Sequence, residues 1–241
     1  DYLQLDDFQD YGPKGLQVIG KEQINKLVTG VSFSLDLVQM AAKRQADMII
    51  VHHGEFWDNR PQTIGSVRYQ RLKVLFDNQI SLLAYHLPLD AHRQVGNNVQ
   101  MCQKLGFELT EEQFRGYGGN PPLGAVGKHQ GLSLDDFVDR IDQELDTTCS
   151  VLDFGPDLIK KVAFSSGGGA DGIYEAIAKG LDAFVTGEPK EYTYHLAKEA
   201  QINVIYAGHY ATERLGVQAL GQHLAEQFDL EAEFVEIACP L

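Results

Sequence analysis

Apolar and polar residues along the chain fall into short runs and longer spaced stretches that repeat once. The first series runs from Lys26 through Leu-Val-Thr-Gly-Val-Ser, a spaced stretch, then Ala46-Asp-Met-Ile-Ile-Val-His-His-Gly-Glu55. The second runs from Lys161 through Val-Ala-Phe-Ser-Ser-Gly, a spaced stretch, then Leu181-Asp-Ala-Phe-Val-Thr-Gly-Glu188. A β-branched or aromatic run, an amphipathic stretch and a second apolar run together predict a βαβ unit. A third apolar run follows each: Ile80 to His86 in one half and Ile202 to His209 in the other, each ending on histidine. Leu35, Val38 and Ala42 recur at helical spacing behind Ser34, which suits an N-cap. Ile173, Ala176 and Ile177 do the same ahead of Gly180, where a helix would stop. Further helices are expected over Asn98 to Leu105 and Leu215 to Phe228.

The pattern predicts an α/β fold: two related α/β domains with mostly parallel sheets. Their boundaries are approximate, 1–110 and 131–241 with a linker region over 111–130, and the tail is free to pack back on the first domain. The junction falls between Glu108 and Gly131, where Gly116, Gly118, Gly119, Pro121 and Pro122 break regular structure.

Composition narrows the function. The chain has 241 residues, 44% of them hydrophobic, enough for a substantial core. Its formal net charge is −14 and its basic residues are scattered, with Lys43-Arg44 and Lys160-Lys161 the densest pairs. A long nucleic acid needs a basic stripe that neutralises phosphates, so such a partner is not expected. No apolar run is long enough to span a bilayer, and the start carries no leader pattern. Three widely spaced cysteines, Cys102, Cys149 and Cys239, form neither zinc pairs nor a disulfide framework. These features suit a cytoplasmic chain.

The candidate chemistry lies where the apolar runs end, because ligands of parallel α/β sheets gather outside the carboxyl ends of strands. Met48 to Val51 ends on His52-His53, Ser81 to Tyr85 on His86, and Val204 to Ala207 on His209. Neighbours on a strand point to opposite faces, but where the backbone turns at a strand end a histidine pair can reach two metals. His209 and Glu213 are spaced i, i+4, on one face of a helix's first turn. Pro88 disfavours a continuous helix across His86-Leu-Pro-Leu-Asp90, which reads as a strand exit and loop turning Asp90 inward. Three imidazoles and two carboxylates suit zinc, iron, manganese or cobalt and not calcium. Five side chains leave coordination positions open on two metals, as a catalytic site requires. His92, His129, His195 and His223 read as surface or helix-cap residues. Glu55 and Glu188 share a Gly-Glu context, in which each either holds a ligand's second nitrogen or sits at a helix start. Gly167-Gly-Gly169 is either a set of amides facing an anion or a tight turn. Phe56, Trp57, Tyr85 and Tyr210 flank the proposed ligands, as a base-stacking surface, a hydrophobic rim or a subunit contact.

The motifs Asp10-Tyr-Gly-Pro-Lys-Gly-Leu-Gln-Val18, Val51-His-His-Gly-Glu-Phe-Trp57, Tyr85-His-Leu-Pro-Leu-Asp-Ala-His92, Ser166-Gly-Gly-Gly169, Val185-Thr-Gly-Glu188 and Gly208-His-Tyr-Ala-Thr-Glu213 together resemble one family. It is the YbgI-type dinuclear metal-centre proteins, also called the GTP cyclohydrolase I type 2 (Nif-three-like) family. The resemblance covers nearly the whole chain and implies two divalent ions per subunit (iron, zinc or manganese), with the metal site in the cleft between the domains. It implies that His52 and His53 each ligate a different ion, that Asp90 joins the ion of His53, that His209 joins the ion of His52, and that Glu213 bridges. It also implies that His86 lies beside the centre, behind a ligand or facing the substrate; imidazole titrates near neutrality, so His86 is the candidate proton carrier, with Glu213 the other candidate catalytic residue. A small nucleotide-like substrate, GTP, and a homohexameric ring are implied as well. Lys14 departs from the family's usual asparagine, which unsettles any substrate contact from that loop. A metal-binding ring without turnover, acting as a scaffold or regulator, is the alternative.

Overall fold

The computed structural model describes residues 2–116 and 121–240, so Gly118 and Gly119 of the expected breaker cluster lie outside the described residues. Its elements in chain order are β1 (Gly15–Val18), β2 (Lys26–Ser32), α1 (Leu35–Lys43), β3 (Met48–His53), α2 (Ser66–Asn78), β4 (Ser81–Ala84), α3 (Leu87–Ala91) and α4 (Asn97–Lys104). They continue with β5 (Glu108–Leu109), β6 (Ala125–Ser133), α5 (Leu134–Leu145), β7 (Ser150–Asp153), β8 (Leu158–Ser165), α6 (Ile173–Ala178), β9 (Ala183–Thr186), α7 (Thr193–Ala200), β10 (Asn203–Tyr206), α8 (His209–Phe228) and β11 (Glu231–Phe234).

Two compact units result. One comprises Asp1–Leu89 with Gly216–Ala238, the other Asp90–Leu215 with Cys239–Leu241. The first unit is thus built from two stretches of the chain, with Gly216–Ala238 returning to Asp1–Leu89. The helix following each βαβ series, α4 and most of α8, is counted with the other series' unit. The stretch 111–130 holds the start of a nine-residue strand, β6, inside the second unit.

In the first unit the strand order is β1-β4-β3-β2-β11, with β2, β3 and β4 parallel, β11 parallel to β2 and β1 antiparallel to β4. Val28, Ile49, Val51, Leu82 and Ala84 form one apolar core with Leu37, Val38 and Ala41 of α1 and Leu72 and Leu75 of α2. On the other face Gly221 of α8 lets the helix approach Thr29, where an added Cβ would meet the threonine Cγ2 at 2.8 Å. The second unit orders its strands β5-β6-β8-β9-β10-β7, with β8, β9 and β10 parallel and their neighbours antiparallel. Alternation along its strands divides the core. Val162, Phe164, Ala183, Val185 and Ile205 pack with Phe137 and Ile141 of α5, while Ala163, Phe184, Val204 and Tyr206 pack with Ile173 and Ala176 of α6 and Ala197 of α7. Each fully buried Leu, Ile, Val or Phe adds roughly 1.5–3 kcal/mol by leaving water.

The expected duplication extends to single hydrogen bonds. Oδ2 of Asp47 accepts from the backbone amides of Asn25 and Lys26, and Oδ2 of Asp182 accepts from those of Lys160 and Lys161. Met48 pairs with Leu27 and Ser81, as Ala183 pairs with Val162 and Asn203. This register makes His52 and His53 the counterparts of Gly187 and Glu188, so Glu55 and Glu188 are not equivalent. It also makes His86 the counterpart of Gly208, so His209 stands one residue beyond the corresponding place.

Candidate metal centre

In the first unit β3 continues two residues beyond the expected end and carries His52 and His53 as its last residues. His52 is completely buried, and its Nδ1 donates to the carbonyl of Tyr85 at 2.9 Å. A carbonyl only accepts, so the proton is on Nδ1 and the lone pair of neutral His52 is on Nε2. Nδ1 of His53 lies 3.0 Å from the hydroxyl of Ser32, its register partner on β2. Nδ1 of His86 lies 2.8 Å from Oδ1 of Asp10. Burial raises the Asp10 carboxyl, but the hydrogen bond and charge of His86 and the amides of Tyr11 and Leu87 outweigh it and hold Asp10 below the usual carboxylate range. The three rings converge, with centroids 4.7 Å apart for His52 and His53, 4.9 Å for His52 and His86 and 5.5 Å for His53 and His86. Trp57 walls the cluster, 5.9 Å from His53 and 5.1 Å edge-on to His86, and is pinned by its indole N–H donating to the Gly54 carbonyl.

These histidines offer ring nitrogens within 4.8 Å of one another. A first-row ion binds imidazole nitrogen at about 2.1 Å and so spans at most about 4.2 Å between two of them. The cluster thus suits one ion after a small contraction or two neighbouring ions, and its imidazole donors fit zinc or iron.

In the second unit α8 opens on His209, and the expected first-turn pairing is present, with Nε2 of His209 3.1 Å from Oε2 of Glu213. Nδ1 of His209 is held by Oε1 of Glu188 at 2.6 Å. Burial lowers the imidazole's proton affinity, yet Glu213 and Glu188 more than offset this and raise His209 to about 9. Two carboxylates that attract a proton so strongly also attract a metal cation. Glu213 and Asp90 are 3% and 4% exposed and bring carboxylate oxygens within 4.8 Å of each other. Oδ1 of Asp90 accepts from Nδ2 of Asn97 at 2.8 Å and from the Ser166 hydroxyl at 3.0 Å.

Asp90 lies in a short helix rather than the expected loop. Pro88 is the second residue of α3, in the first turn, where amides have no partner within the helix and the missing N–H costs nothing. The glycine stretch forms a turn that is tied down at Gly167. The Gly167 amide donates to Oγ1 of Thr212, and its carbonyl accepts from the amides of Gly187 and Glu188. Gly167 has φ +57°, and a Cβ there would come 2.1 Å from Oε1 of Glu213 and 3.1 Å from Nε2 of His209. Glycine lets both ligand candidates lie against the turn.

Of the two open glutamates, Glu188 holds a candidate ligand's second nitrogen. Glu55 instead forms ion pairs with Arg68 at 2.8 Å and Arg71 at 3.1 Å and orders the segment after the histidine pair. Lys14 donates to the carbonyls of Leu5 and Phe8, so it ties down the N-terminal segment. His92 and His129 accept from nearby backbone amides and His223 stacks on Tyr2, in keeping with their expected peripheral roles. Sequence reasoning assigned no role to Asp10, Ser32, Asn97 or Ser166. Asp10 opens a recognised motif, but nothing local connects it with His86, 76 residues away.

Among the described residues no helix is long and apolar enough to cross a membrane. A sequence profile of the family described as Duf34/NIF3 (NGG1p interacting factor 3) matches residues 1–240. A Yersinia pestis protein named GTP cyclohydrolase 1 type 2 homolog is 42% identical, the match covering 99% of this chain and 94% of that protein. A protein of the same name from Escherichia coli K12 is 40% identical, over 96% of this chain and 92% of its own. Among solved structures, the protein ybgI, described as of unknown function, superposes with a TM-score of 0.93 at 38% identity, covering 99% of this chain and 95% of that one. The protein TTHA1606 from Thermus thermophilus gives 0.87 at 36% identity, covering 100% and 95%.

Proposed function

The chain belongs to the Duf34/NIF3 family, and we propose that it is a hydrolase using two divalent ions on a small nucleotide-like substrate. His52, His53, Asp90, His209 and Glu213 are the ligands in this reading, with Glu213 bridging. The observation that carries it is the way the imidazoles are held. His52, His53 and His209 each engage a neighbour through Nδ1, which makes Nε2 the ligand atom, as is usual for metal-bound histidine. When bound, such ions lower the pKa of water toward about 7 and polarise the group under attack. Asp90 and Glu213 supply the negative charge that retains them. His86, held by Asp10, moves a proton at Nε2.

The relatives' name directs the substrate to GTP, in which one water adds at C8 and opens the imidazole ring to a formamide, and a second hydrolyses that formamide to the amine and formate. Metal-loaded protein is expected to release formate from GTP, and Glu213→Gln to reduce that release at least a hundredfold. Fully loaded protein that leaves GTP intact overturns the cyclohydrolase assignment. If nucleotides, phosphoesters and peptides are all left untouched as well, the hydrolase reading gives way to a metal-binding scaffold. The family resemblance further suggests a cytoplasmic ring of six copies, and light scattering of the purified protein tests the copy number.

A further inference from the structure

Three donors converge on the Asp10 carboxylate. Its side chain is 3% exposed, and its Oδ1 lies 2.8 Å from Nδ1 of His86 and 2.7 Å from the amide of Tyr11. Its Oδ2 accepts from the amide of Leu87, the residue that opens α3, at 3.0 Å. The segment carrying Asp10 is itself tied down, because Lys14 donates to the carbonyls of Leu5 and Phe8. The ring of His86 is confined by Trp57, edge-on at 5.1 Å, and by Tyr11, tilted at 6.0 Å. Asp10 and His86 line the same small cleft as Lys14, Gln17 and the metal-ligand candidate His52.

We propose that Asp10 is a positioning residue that fixes His86 as the Nδ1–H tautomer, so that a basic Nε2 faces the cleft beside His52. The chemistry follows from the donor count. An ionised carboxylate only accepts, so the atom of His86 facing it carries the proton and the other nitrogen keeps its lone pair. An imidazole released from such a partner favours the opposite tautomer, with Nε2 protonated and unable to take a proton. Asp10 touches neither substrate nor metal in this scheme and acts wholly through His86. The role of His86 as proton carrier rests on the function proposed above, whereas the tautomer does not.

The test uses the zinc-loaded full chain labelled with ¹⁵N, with long-range ¹H–¹⁵N correlations of the imidazoles assigned by loss of the His86 signals in His86→Gln. Wild-type His86 is expected as Nδ1–H, and Asp10→Ala moves it to Nε2–H. Asp10→Asn keeps the side-chain volume, replaces one acceptor by a donor and shifts the tautomer the same way, which covers the case in which the alanine variant does not fold. Both variants keep the wild-type metal content, and kcat falls about tenfold to a hundredfold with KM changed less than about threefold. In the His86→Gln background Asp10→Asn costs less than about twofold, since there is no imidazole left to orient. An Nε2–H tautomer in the wild type, an unchanged tautomer in both variants, or a full further loss in the His86→Gln background overturns the proposal. If the protein turns nothing over, the proposed function fails while the tautomer measurement still decides the role of Asp10.

Discussion

Glu188 holds Nδ1 of His209 at 2.6 Å although its side chain is about half exposed, and Glu55, with the same Gly-Glu context, is buried against two arginines. The difference is electrostatic in consequence. Glu188 orients a candidate ligand and increases its basicity, whereas Glu55 neutralises guanidinium charge. Glu188→Gln keeps the size and one acceptor but removes the charge. It is expected to weaken metal affinity about tenfold, the low end for outer partners of ligating histidines because solvent screens this carboxylate. Competition against a chromogenic chelator measures this, and affinity within twofold of wild type would show that His209 does not need the charge.

At the scale of elements, the two aspartate clamps join the start of one strand to the next parallel strand in each unit. Asp47 is held by Nζ of Lys21 at 2.6 Å as well as by the amides of Asn25 and Lys26. Burial raises its carboxyl, but these partners outweigh burial and depress it below the ordinary value near 3.8. A depressed folded-state pKa contributes stability that is fully present above the unfolded value and is lost as pH falls through the folded one. Asp47→Asn is therefore expected to lower stability by about 1.5–3 kcal/mol at pH 7, the usual range for hydrogen bonds to a charged group. The gap between wild type and variant should narrow below about pH 4. Urea titrations at pH 7 and pH 3 check the sign, and a gap that widens on acidification would exclude the clamp as its source.

For the whole molecule, metal binding and folding are linked by mass action. A ligand that binds only the folded chain stabilises it by about 2.7 kcal/mol at a hundred times its Kd. For a chain of this size that corresponds to roughly 5–10 °C in melting temperature. Thermal melts with rising free zinc or manganese are expected to shift by this amount. EDTA should reverse the shift, and Asp90→Ala should respond less. A melting point insensitive to every divalent ion would argue against a metal centre built from these ligands. The net charge of −14 adds a general attraction for cations but no selectivity, so potassium is expected to leave the melt unmoved where zinc raises it.

Local periodicity was enough to read α1 with its Ser34 cap, α6 ahead of Gly180, the three central strands of each unit and the His209–Glu213 pair, because each depends on residues within a turn or a few pleats. The family resemblance was equally legible, since its motifs are contiguous. The tertiary structure alone decided which residues hold the candidate site's side chains. Asp10 reaches His86 across 76 positions, Ser166 reaches Asp90 across the same number, and Glu188 reaches His209 across 21. Such partnerships depend on where the chain returns in space, which no local spacing encodes. The register between the repeats was likewise hidden. Matching Gly-Glu pairs suggested one alignment, but backbone hydrogen bonds between strands set another, with Glu188 where the first unit has His53. The allocation of α4 to the second unit was also invisible in the pattern, because an amphipathic helix shows that it needs an apolar surface and not which sheet supplies it.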